Sequence, residues 1–136
     1  MSDASRHTAA ILLIVVPTVE YGGLSLLRMI MGRDPGYMDN PVRRHLWRAG
    51  HAHAGVWILF ALIALLYVDQ AGLSDGWKDV VRWGFTAAPI LMPLGLFLSV
   101  LSPRAEKPSK VIYLAYAAGL CLAVATVTLG IGLLRA

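Results

Sequence analysis

Charged side chains are scarce in this sequence: they make up 15% of its 136 residues, against roughly a quarter in an ordinary soluble domain. That is too few to cover a water-facing surface. With 57% hydrophobic residues and a mean hydropathy of +0.64, the composition suits a chain solvated by lipid. Cysteine is almost absent. The one cysteine, Cys121, excludes an internal disulfide, sits in an apolar stretch where it reads as packing, and leaves the redox compartment undetermined. Internal repeats and low-complexity tails are also lacking, and the length allows one domain. No cleavable leader is expected, because the first apolar span has a weak basic region before it and no small-residue cleavage site before Tyr21.

Long apolar runs are what the sequence does have. A bilayer core asks for about 20 such residues per helix, and four candidates qualify: about Thr8 to Ile30, Leu46 to Val68, Trp83 to Leu101 and Val111 to Leu134. They are too long and too evenly apolar for barrel strands, so an all-α integral membrane four-helix bundle is expected. Pro17 and Glu20 interrupt the first run, and Pro89 and Pro93 are expected to kink the third. A Pro35-Gly36-Tyr37 turn, a Leu73–Gly76 turn followed by a polar, partly amphipathic stretch, and a Pro-containing Ser102–Ser109 segment connect them. Trp47, Trp77 and Trp83 fall where interfacial belt residues belong.

The net charge of +4 comes from basic residues between spans, a pattern that topology explains better than nucleic-acid binding does. Arg28, Arg33, Arg43, Arg44, Arg48, Arg104, Lys107 and Lys110 flank the first and third loops. Arg6, Lys78, Arg82 and Arg135 lie at the opposite ends. The positive-inside rule then puts the first and third loops in the cytoplasm and both termini outside a bacterial-type inner membrane.

Ionisable groups within a bilayer are costly and point to function. Here they are Glu20, His51 and His53, at similar depth on this topology, with Tyr113 and Tyr116 opening the fourth run at that level. On a helix, positions i and i+2 are about 200° apart, so His51 and His53 cannot readily share one ion. One is free to face a cofactor while the other faces a neighbouring helix, a subunit or interfacial water. Ala49, Gly50, Ala52, Ala54 and Gly55 around them admit a close helix or a flat macrocycle. Histidine is a common axial ligand to haem iron, whereas zinc needs more ligands than this spacing offers. A histidine near an interface also snorkels or bonds a carbonyl with no ligand involved. Trp57, one turn beyond His53 on the same face, is placed to wall a pocket. Glu20 either bonds a carbonyl freed by Pro17, pairs with Arg48, bonds a ligand histidine or handles protons.

In three collinear blocks the chain resembles the styrene oxide isomerases, small four-helix membrane proteins. The blocks are Pro35-Gly36-Tyr37; Trp47 and Arg48 with His53-Ala54-Gly55; and Gly95-Leu96-Phe97-Leu98-Ser99 up to Ser102-Pro103. They span about half the chain. The resemblance implies a trimer holding haem b near a subunit boundary with His53 as axial ligand, where ferric iron acts as a Lewis acid on a small hydrophobic epoxide and a hydride shift yields an aldehyde. His51 has no counterpart in that motif. The family's asparagine six residues past the ligand is Leu59 here, and its third-helix tyrosine is Leu96 or Phe97. Tyr113, Tyr116 or Glu20 would have to replace those polar groups, with Arg48, Gly55, His51 and Trp57 beside the cofactor. A shorter His-x-His likeness to haem-binding segments of the heme–copper oxidase superfamily points instead to a haem protein that senses a gas, transfers electrons or handles haem. A cofactor-free transporter or interaction protein with Glu20 and the histidines as a proton relay is the third expectation.

Overall fold

The computed structural model describes all 136 residues. Its elements are α1 (Asp3–Met31), α2 (Pro35–Met38), α3 (Pro41–Val68), α4 (Asp75–Leu98), a single 3-10 turn at Lys110–Ile112 and α5 (Tyr113–Leu134). There are no strands, and α1, α3, α4 and α5, the last with its leading turn, are each long and apolar enough to cross a membrane. The chain is therefore an all-α, multi-pass membrane protein. Helices are the natural outcome, because hydrocarbon offers no hydrogen bonds and each span must satisfy its own backbone.

The first three long helices begin earlier than hydropathy indicates. The first starts at Asp3 rather than near Thr8, behind the Ser2 cap whose hydroxyl accepts from the Ser5 N–H. The second starts at Pro41 rather than Leu46, with Asn40 as cap and a proline at the first position, where no N–H is needed. The third is displaced most: Asp75–Leu98 replaces Trp83–Leu101, and the polar stretch after the turn is its first two turns. Hydropathy marks the bilayer core, while caps and turns mark where a helix stops. The Pro-Gly-Tyr segment is the short helix α2, not a turn. The helical assignment is unbroken across Pro17, Pro89 and Pro93.

In cross-section the long helices form a row more than a square. α3 packs along α4 and α4 along α5, α1 lies mainly against α3, and α1 and α5 do not touch. The tightest seam is α4 on α5, where glycines remove the side chains that would hold the helices apart. A Cβ on Gly95 would stand 2.5 Å from the Ala115 backbone nitrogen, and one on Gly84 would stand 2.7 Å from the Ala125 Cβ. Below that seam Phe85, Val81, Leu65, Val68 and Leu129 make the apolar core.

Polar groups are gathered at the two ends. At one end the α3 cap Asp69 takes hydrogen bonds from the hydroxyls of Ser2 (2.8 Å) and Ser5 (3.0 Å) and from Arg82 Nη2 (2.8 Å). Arg82 also pairs with Asp79 at 2.7 Å. At the other end Arg43 lies 3.9 Å over the Trp47 ring and donates to the Gly36 carbonyl at 2.9 Å. Trp47 Nε1 donates to the Phe97 carbonyl at 3.1 Å. Asn40 Nδ2 donates to the carbonyls of Pro103 and Ala105. Loops one and three are thereby tied together at one face of the membrane, and both termini and loop two at the other. Trp47, expected in the interfacial belt, is half-buried in this knot, and Tyr37 is wholly buried beside it.

Desolvation alone would raise the Asp69 carboxyl, but hydrogen bonds from the Ser2 N–H and hydroxyl, Arg82 and Ser5 outweigh it and hold the group well below the usual carboxylate range. A group depressed on folding stabilises above its unfolded pKa, about 4, and that stability drains away as pH falls through and below it. In detergent, the unfolding midpoint should decline on acidification below about pH 4, and Asp69→Asn should lower the neutral-pH midpoint by several degrees while flattening that acid limb. Gly95→Ala should cost about 1–3 kcal/mol by overpacking, whereas Gly119→Ala, with open space at its Cβ, should be neutral or stabilising in the same thermal assay.

Candidate functional site

The histidines sit in the first half of α3, and the structure separates them as helix geometry requires. His51 turns toward α1, where Gly22 and Gly23 face its ring. A Cβ on Gly23 would lie 2.8 Å from His51 Cε1 and 3.0 Å from Nε2, so this glycine makes the space the imidazole occupies. The close approach sets Nε2 near the α1 backbone at Gly23.

His53 points to the other side of α3. Its Nδ1 lies 2.7 Å from the carbonyl oxygen of Ala49 one turn earlier. A carbonyl only accepts, so Nδ1 carries the proton, and in the neutral ring Nε2 keeps its lone pair. Nε2 has no partner in the chain. The Trp57 ring meets His53 edge-on with centroids 5.5 Å apart. This matches the arrangement seen around metal-bound histidines, in which the second ring nitrogen donates to a carbonyl or carboxylate and fixes tautomer and orientation. The same bond also serves a histidine that ligates nothing. The surrounding α3 surface is small and exposed at Ala52 and apolar at Val56, and Phe60 further along packs edge-on against Phe85.

Two cavities meet at His51. One, of about 240 Å³, runs between α1, α3 and α4 past Thr18, Gly22, Ala54 and Phe97. The other, about 660 Å³, lies between α1 and α3 and is bordered by Glu20, Gly23, Gly55 and Leu59. His53 and Trp57 border neither. Of the residues singled out in the sequence, His51, Gly55 and Glu20 are thus brought together, with exposed Arg48 about 60° from His51 around α3 and one turn nearer the loop. His53 and Trp57 form a separate group on the opposite face.

The polar groups expected at one depth do not all come together within one chain. Tyr113 and Tyr116 are exposed on α5, their rings tilted against each other with centroids 6.0 Å apart, on a helix that never meets α1. Glu20 is exposed on α1, makes no ion pair with Arg48 and bonds neither histidine nor a freed carbonyl. Shared depth is not proximity when the helices stand in a row. Sequence reasoning also missed the seat that Gly22 and Gly23 provide. The available signal was a glycine pair in an apolar span, at the level antiparallel pairing gives His51.

Compared with protein-family models, curated proteins and solved structures, the chain matches none. The likeness to the styrene oxide isomerases therefore rests on the three sequence blocks.

Proposed function

We propose that this chain is a membrane-embedded haem-b protein that offers His53 Nε2 to iron. The observation that carries this reading is the 2.7 Å bond from His53 Nδ1–H to the Ala49 carbonyl, which fixes the tautomer a ligand needs and leaves the other nitrogen unpartnered. The seating of His51 Nε2 against Gly23 favours His53 over its neighbour. Haem held there would supply iron as a Lewis acid or a redox centre. The chain's own residues do the rest. The Ala49 carbonyl holds the ring in plane, Trp57 buttresses its edge, and Ala52 and Val56 keep the adjoining surface low. No larger cavity of a single chain borders His53, so a second copy would close the site. A homo-oligomer, a trimer by resemblance, follows.

Epoxide isomerisation of the styrene-oxide type needs a polar group beside the iron to orient the substrate. Leu59 and Leu96 or Phe97 stand where the family has such groups. Glu20, Tyr113 and Tyr116 lie away from the face of His53 within one chain, and would serve only across a subunit boundary. That geometry favours, as the second reading, a non-enzymatic haem protein for gas sensing, electron transfer or haem handling. In either case loops one and three belong on the cytoplasmic side of the inner membrane, with both termini outside.

Protein purified in detergent after haem-replete expression should show a Soret band. His53→Ala should abolish or strongly shift it, and His51→Ala should keep it. No band in the wild type, or loss with His51→Ala alone, contradicts the assignment. Aldehyde formed from styrene oxide by the haem-loaded protein, and lost in His53→Ala, would select the isomerase over the non-enzymatic reading.

A further inference from the structure

The haem reading leaves unused the two cavities that meet at His51. The larger, about 660 Å³, falls within the roughly 300–1,000 Å³ range of small-molecule sites. Its walls are apolar apart from two ionisable side chains, His51 from α3 and Glu20 from α1. Neither has a hydrogen-bond or ion-pair partner in the chain. α1 is 29 residues long, about 44 Å at 1.5 Å per residue. Glu20 lies near its middle, within the hydrocarbon region, where a bare polar group is costly and water is not at hand to satisfy it. Two such groups in one lipid-facing cavity call for a ligand that bonds both.

We propose that the groove between α1 and α3 binds a quinone or quinol: a flat apolar ring in the larger cavity, with oxygens at opposite ends hydrogen-bonded to His51 and Glu20. The ligand chemistry follows from the two groups. A lipid acyl chain fills the volume but leaves both unpaired, and a lone hydroxyl bonds both only if its one oxygen stands within reach of the two side chains at once. A para-oxygenated ring brings an oxygen to each. An imidazole ring and a carboxyl group both present hydrogen-bonding atoms that the oxygens of such a ring can meet. Gly23 and Gly55 keep side chains out of the slot; a Cβ on Gly55 meets nothing nearer than Val19 Cγ1 at 4.0 Å. The smaller cavity, which also borders His51, leaves room for a ring substituent or tail. This site lies on the face of α3 opposite His53 and does not depend on haem binding.

Equilibrium dialysis of the detergent-purified full chain against decylubiquinone tests it. Saturable binding is expected. Gly55→Leu, which places a side chain in the cavity without striking backbone, should weaken it at least tenfold. His51→Leu and Glu20→Leu should each weaken it severalfold, and these two keep the test decisive if the Gly55 variant fails to fold. His53→Ala should bind as the wild type does, which separates this result from the fate of the haem reading. Absence of saturable binding, or binding indifferent to all three groove substitutions, overturns the proposal. So does a co-purified phospholipid, seen by native mass spectrometry, that Gly55→Leu removes and decylubiquinone does not displace.

Discussion

In hydrocarbon no water is present to satisfy a polar group, and that constraint organises this molecule. It makes each span a helix and sends the remaining polar chemistry to the two ends. At one end Asp69 collects Ser2, Ser5 and Arg82; at the other, Arg43, Trp47 and Asn40 lock α2 and the third loop against α3. The first knot holds the start of α1 to the rest, and the second holds α2, which follows α1 in the chain. Along its middle α1 has only α3 beside it and a short approach to α4, which is why the cavities open there and not in the tightly seamed α4–α5 pair.

Against that background, the exceptions are informative. Within the spans the polar atoms left without partners include the second nitrogen of His53, the ring of His51 and the carboxyl of Glu20. They fall on two sides of α3: His53 on one, and His51 with Glu20 of the neighbouring α1 on the other. His53 has its tautomer set by its own backbone and opens outward beside Trp57. His51 is seated on two glycines of α1 and shares a cavity with Glu20. One arrangement suits an axial ligand, the other a hydrogen-bonded guest, and α3 lies between them.

Much of this was legible in the sequence, for identifiable reasons. The four spans follow from hydropathy because lipid solvation is a one-dimensional property of a run of residues. The divergence of His51 and His53 follows from about 100° per residue. Helix ends were not legible from hydropathy: the α4 start at Asp75 is polar, and only the Ser74 position and the turn before it mark it. Within one chain Tyr113 and Tyr116 stand apart from the histidines, because depth says nothing about azimuth and α5 lies across α4 from α1. Trp47 and Tyr37 read as interface and turn, yet Trp47 is drawn in under Arg43 and Tyr37 packs beside Trp47, contacts that spacing alone does not reveal.

The central claim is that the two imidazoles have separate roles, with Nε2 of His53 the one offered to a metal. Nitrogen NMR of histidine-labelled protein in bilayers, before and after adding the diamagnetic zinc protoporphyrin, tests this directly. The account predicts an Nδ1-protonated His53 whose unprotonated Nε2 resonance shifts on coordination, while the His51 resonances stay in place. Coordination shifts at His51, or an Nε2-protonated His53 that does not respond, would contradict it.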